Sequence, residues 1–135
     1  MENSTPSNSR SQLAQTTYNH LIVDAYNANP SSMAAAIENF RLMSVDNKMA
    51  ILGDMHELGE ATAEEHQKVV DLLVAAGITN VWLVGDDFGK TDTTFKKFKD
   101  VEAVKAEIAR CQPKEHYILI KGSNGTKLYE LPELL

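Results

Sequence analysis

Four short, unbroken apolar runs punctuate the chain: Leu21-Ile22-Val23, Met49-Ala50-Ile51-Leu52, Val81-Trp82-Leu83-Val84 and Tyr117-Ile118-Leu119-Ile120. Strands that face water on one side alternate apolar and polar residues. Runs without alternation suit a parallel sheet covered on both faces. Between the runs the apolar positions recur at helical spacing: Met33, Ile37 and Phe40, then Val69, Val70, Leu73 and Ala76, then Val101, Val104 and Ile108. Each set forms one stripe of an amphipathic helix and predicts a core-facing surface. Strands alternating with helices define a layered α/β domain. Gly77 closes the second helix as a left-handed cap, and Pro113 lies just past the third. Residues 94–99 offer a short edge strand, and the tail from Thr126 predicts a last helix that Pro132 interrupts or restarts. Residues 1–17, rich in Ser, Thr, Asn and Gln, predict a mobile leader or interdomain linker, which leaves 18–135 as the folded domain.

At 135 residues the chain is long enough for a single core without disulfides. The one cysteine, Cys111, excludes an internal bridge and suits a reducing compartment. It reads as a small residue near a helix end and not as a nucleophile. A net charge of −6 with scattered Lys and Arg argues against a nucleic-acid or membrane-surface partner. No run approaches the roughly 20 apolar residues of a membrane span, and the polar N-terminus is no signal peptide. A cytoplasmic monomer is the expectation.

The first apolar run flows into Asp24-Ala25-Tyr26-Asn27-Ala28-Asn29-Pro30 and then a helical pattern. A strand ending in a polar elbow at a helix start is where open α/β folds bind ligands, because unpaired backbone N–H groups lie beside fixed side chains. Asp24 accepts from a sugar hydroxyl or else caps its own turn. Tyr26 stacks or donates. Asn27 and Asn29 bind a polar ligand or serve as turn residues ahead of Pro30. The other runs end in Gly53-Asp54, in the loop 85–90 with Asp86 and Asp87, and in Lys121-Gly122-Ser123. All belong on the same sheet edge. Gly122-Ser123-Asn124-Gly125-Thr126-Lys127 is not an ATP P-loop, since the four-residue gap followed by Gly-Lys-Ser/Thr is absent.

The elbow, the string Leu52-Gly53-Asp54-Met55-His56-Glu57-Leu58-Gly59, Lys121-Gly122-Ser123 and Arg10-Ser11-Gln12 occur together in an order that resembles the C-terminal domain of the Mur ligases. Within that family the strings are most similar to the branch that joins D-alanyl-D-alanine to a UDP-N-acetylmuramoyl-tripeptide during peptidoglycan synthesis. The resemblance runs from about Pro6 to Leu135. It implies a Rossmann-like three-layer α/β domain with a mostly parallel sheet, inactive alone because ATP phosphates and Mg²⁺ would be held by a central domain. N-terminal and central domains of the same ligase would be its partners. Arg10, Asp24, Tyr26, Asn27 and Asn29 would face the nucleotide, Asp54, Glu57, Asp86, Asp87 and Ser123 the substrate. Lys121 would be a catalytic, cleft-facing lysine that completes the closed site without anchoring the fold.

Three other readings compete. Asp54, His56 and Glu57, with Glu60, Glu64, Glu65 and His66 behind them, invite a metal site, but the spacing fits no compact ligand pattern and acids at a helix start are explained by the macrodipole. No metal is assigned to this chain, and His66 reads as a packed or capping residue. Asp24, Asp54 and Lys121 also mimic the acidic pair and lysine of a response-regulator receiver domain. The first strand lacks adjacent acids, however, and Lys121 precedes Gly where receivers have Pro. A stand-alone adenine-nucleotide module is the third option.

Overall fold

The computed structural model describes residues 12–24, 28–56 and 58–135. Its strands and helices follow the apolar pattern closely. In chain order they are β1 (Gln12–Gln15), β2 (His20–Asp24), α1 (Pro30–Leu42), β3 (Lys48–Gly53), α2 (Thr62–Ala75), β4 (Asn80–Val84), the single turn α3 (Asp86–Gly89), β5 (Lys96–Phe98), α4 (Val101–Arg110) and β6 (Tyr117–Lys121). The sheet order is β1-β2-β6-β3-β4-β5. Every pairing is parallel except that of β1 with β2.

Side chains of the central strands alternate between two cores. Ala50, Leu52, Val81, Leu83 and Leu119 face α1 and α2, where Met33, Ile37, Phe40, Val69, Val70 and Leu73 complete one apolar layer. Met49, Ile51, Trp82, Val84, Ile118 and Ile120 face the other way, onto Val101, Val104 and Ile108 of α4 and onto Leu128, Leu131 and Leu135. Period-2 alternation along strands with both faces apolar requires this three-layer arrangement.

The helix ends have clear causes. Asn29 caps α1: its side chain accepts from the Ser32 N–H while Ser32 reciprocates to the Asn29 backbone, and Pro30 occupies the first turn. Gly77, at φ 76°, ends α2 as expected. Its N–H reaches Val74 O and that of Ile78 reaches Leu73 O, a Schellman closure with Ile78 and Leu73 packed in the same core. Asp100 caps α4 through the Ala103 N–H.

Two expectations change. Gln12–Gln15, assigned to the leader, instead pairs antiparallel with β2 along Gln12↔Val23 to Gln15↔His20. Its four residues, Gln-Leu-Ala-Gln, carry no unbroken apolar run, and an edge strand needs main-chain partners more than apolar faces. The tail forms three short 3₁₀ turns, Asn124–Thr126, Leu128–Glu130 and Pro132–Leu134, and no α-helix. Lys127 in a left-handed conformation breaks the first two apart, and Pro132 starts the third. Cys111 lies at the exposed C-cap of α4.

At the end of the sheet opposite the candidate site, buried Asn19 joins three segments. Its Nδ2 donates to Pro113 O at 2.9 Å and Leu135 O at 2.8 Å, and its Oδ1 accepts from the His116 N–H at 3.0 Å. Asn19→Ala strands these buried groups and is expected to cost about 2–4 kcal/mol. Urea unfolding should show a lower midpoint at unchanged slope; a midpoint equal to wild type would show that water replaces the amide.

Candidate functional site

Parallel strands present their carboxyl ends together, so β2, β3, β4 and β6 deliver Asp24, Asp54, Gly85 and Lys121 to one rim. Asp54 organises it. Its N–H donates to Val84 O at 3.1 Å. Its carboxylate accepts from the N–H groups of Asp87 (3.1 Å) and Phe88 (2.9 Å), and its carbonyl accepts from the Ser123 hydroxyl at 2.8 Å and the Ser123 N–H at 3.3 Å. The loops after β3, β4 and β6 are thereby joined through a single residue. Gly85, at φ 116°, gives room for this: a Cβ there would sit 2.3 Å from the Asp54 carboxylate. Gly53 and Gly122 both make way for Thr126, whose hydroxyl would lie 2.8 Å from either added Cβ.

Burial pushes the Asp54 carboxyl above its ordinary value of 3.8, while the Phe88 and Asp87 N–H groups pull it back down. His66 stands beside it, fully buried, with Nε2 accepting from the Met55 N–H at 2.9 Å and Nδ1 at 2.6 Å from Thr62 O. An acceptor at Nε2 places the proton on Nδ1, which donates to the carbonyl. The ring packs edge-on against Phe88. Among the described residues, Asp54, His66 and Asp87 are the group close enough to share a cation. Both His66 nitrogens are engaged, though, and a cation would have to break the Met55 hydrogen bond. His66 is a packed residue that pins the loop after β3, as its sequence position suggested.

Lys121 departs from expectation. The catalytic, cleft-facing lysine is 1% exposed, and its Nζ lies 2.5 Å from the Asp24 carboxylate, itself 5% exposed. Register explains the pairing. Asp24 and Lys121 are direct partners on neighbouring parallel strands, and Leu52 flanks Lys121 on the other side. Both charges point to the face covered by α1 and α2. The view of Lys121 as a residue that does not anchor the fold is therefore overturned, since a buried pair loses far more on breaking than a surface lysine does. The receiver-like trio does not assemble either: Lys121 serves Asp24, and the carboxylate of Asp54 serves the loop after β4.

Arg10, Tyr26, Asn27 and Glu57 lie outside the described residues. Asn29 is an N-cap. Ser123 turns its hydroxyl to Asp54 and offers its carbonyl to Thr126. Asp86 is exposed and Asp87 half-buried. Next to them opens a cleft of about 380 Å³ between the loops after β3, β4 and β6 and the start of α4. Asp86, Asp100 and Glu102 line it with acid, while Lys99, Lys127 and His56 line it with base. Lys99 and Lys127 escaped sequence reasoning. The only local signal was Lys99 directly ahead of a capping aspartate.

A doubly covered, mostly parallel sheet with its loops joined at the carboxyl rim defines a Rossmann-like α/β domain of ligand-binding type. The family model "Mur ligase, glutamate ligase domain" matches residues 9–124, and the chain belongs to that family. A UDP-N-acetylmuramoyl-tripeptide–D-alanyl-D-alanine ligase from Rickettsia prowazekii is 37% identical over 125 residues, covering 88% of this chain and 28% of the relative. The chain thus spans little more than a quarter of that relative's length. A crystal structure of MurF from Acinetobacter baumannii superposes with a TM-score of 0.77 at 27% identity, covering 95% of this chain and 30% of that one. The MurF ligase from Thermotoga maritima, solved in complex with ADP, shares the fold with a TM-score of 0.79 at 22% identity over 98% of this chain and 31% of its own. Among the described residues no helix is long and apolar enough to cross a membrane.

The raised Asp54 value makes a pH prediction. The folded state holds this proton to higher pH than the unfolded chain does, so the group's contribution to stability is greatest below 3.8 and declines as pH rises through the interval up to the folded value. Asp54→Asn removes that slope and adds a pH-independent loss from the weaker acceptor. The stability of wild type minus that of the variant, measured by urea unfolding from about pH 3 to 7, should fall with rising pH. A difference that rises would mean that the two N–H groups outweigh burial.

Proposed function

We propose that this chain is the C-terminal domain of a cytoplasmic, ATP-dependent ligase that adds D-alanyl-D-alanine to a UDP-N-acetylmuramoyl-tripeptide in peptidoglycan synthesis. The observation that carries the reading is the 37% identity to a ligase of that name across 88% of the chain. Such a ligase activates the tripeptide carboxylate as an acyl phosphate, and the dipeptide amine then displaces phosphate. The rest of the ligase, an N-terminal and a central domain, holds the phosphates, Mg²⁺ and the nucleotide-sugar.

This domain's share is closure. Docked over the nucleotide, its rim keeps water from the acyl phosphate and fixes the amine near it. Asp24 and Asn29 stand at the two ends of the elbow, and the resemblance to the Mur ligases assigns them, with Arg10, Tyr26 and Asn27, to the ATP ribose and adenine. The cleft beside α3 takes the dipeptide, whose ammonium and carboxylate ends match the acids Asp86, Asp100 and Glu102 and the bases Lys99, Lys127 and His56. Asp54, Asp87 and Ser123 shape that cleft through their mutual hydrogen bonds.

The test is a chimera in which this chain replaces the matching segment of the Rickettsia ligase. Phosphate release should require ATP, the UDP-tripeptide and D-alanyl-D-alanine together, and the isolated chain should release none. In the chimera, Asp86→Ala should raise KM for the dipeptide about tenfold, the loss of one charged contact, without lowering the melting temperature. A folded chimera with no ligation would overturn the ligase reading, and an unchanged dipeptide KM would remove Asp86 from the substrate site.

A further inference from the structure

Burying an ammonium and a carboxylate is expensive, and a neutral apolar pair of the same volume is often as stable or more so. Lys121 and Asp24 are nevertheless both buried, 2.5 Å apart, at the last residues of two neighbouring strands. Neither end is needed to complete the sheet, whose ladders close through main-chain groups. The loop that follows Lys121 is tied to the same spot, since the Gly122 N–H donates to Asp24 O at 3.4 Å. The pair therefore stands where β2 passes into the elbow ahead of α1, at the point where ligands meet such sheets.

We infer that Lys121 is a positioning residue: its buried ammonium holds the Asp24 carboxylate in one orientation at the rim, so that Asp24 meets the nucleotide without rearranging. This inference rests on the proposed nucleotide role of Asp24. It replaces a lysine that touches substrate by one that acts through its partner. A carboxylate fixed in advance loses no side-chain freedom on binding. Without the ammonium, the carboxylate loses this fixed partner and the side chain is free to turn.

The experiment compares Lys121→Met, Lys121→Arg, Asp24→Asn and the double variant Asp24→Asn/Lys121→Met in the same chimera, with KM for ATP, KM for dipeptide and kcat measured separately. Melting temperature is recorded on each preparation. Lys121→Met and Asp24→Asn should each raise KM for ATP about tenfold, and the double variant no more than either alone, because the two side chains act as one unit. KM for the dipeptide should stay at the wild-type value, and Lys121→Arg should restore part of the ATP affinity. The double variant guards against misfolding, since it buries no charge. If it folds and binds ATP like wild type, the pair is purely structural and the inference fails. If Asp24→Asn weakens ATP binding but Lys121→Met does not, positioning by Lys121 is refuted while the nucleotide role of Asp24 survives. If every variant melts lower with ATP kinetics unchanged, both fail together.

Discussion

Asp54 is the residue on which the rim depends. A carboxylate at the end of a central strand has no ladder partner of its own. Here it caps two N–H groups of the turn after the neighbouring strand, while its carbonyl receives the hydroxyl and N–H of Ser123 from the loop after the strand on the other side. Three loops that would otherwise move independently share one anchor. The ionised form is costly there because burial opposes it, and the two N–H donors offset that cost only while the turn keeps its shape. Glycine at 85 is a consequence of the same contact, since any side chain would occupy the volume of the carboxylate.

The packing beneath the rim makes such precision possible. Both sheet faces are covered by close-packed apolar side chains, so the strand ends do not shift to relieve strain in the loops. His66 extends that rigidity outward. It comes from α2, accepts the Met55 N–H directly after Asp54, and lies edge-on to Phe88, whose own N–H bonds Asp54. The helix layer and the loop layer are thus fastened together by one neutral imidazole. On the other face, Thr126 fills the space left by Gly53 and Gly122 and bonds Ser123 O, so the tail is held against the same loops.

Charge is distributed unevenly around this frame. The pair at Asp24 and Lys121 is dry and lies on the α1 and α2 face, whereas the cleft near α4 keeps its acids and bases open to solvent. Groups that are already paired and buried suit the role of fixing geometry. Groups lining a cleft remain available to a ligand with charges at both ends. The two sets belong to one strand-end rim but to opposite faces of the sheet, so in the proposed ligase the nucleotide and the dipeptide would meet different faces.

The sequence by itself determined the central strands, the core stripes of the helices, the Gly77 cap and the chemistry of the rim. These are local matters, since periodicity tells which face a residue takes and strand ends tell where loops gather. Family membership was legible for the same reason, because its strings fall at those loops. What only the tertiary structure decided is who meets whom. Lys121 reads as a free lysine until strand order places it beside Asp24, 97 residues away in the chain. Asp54 reads as a candidate ligand until the loops after β4 and β6 arrive to occupy it. Gln12–Gln15 becomes a strand only because β2 offers its edge. Local patterns fix faces, but register and strand order fix partners, and a buried charge takes its role from its partner.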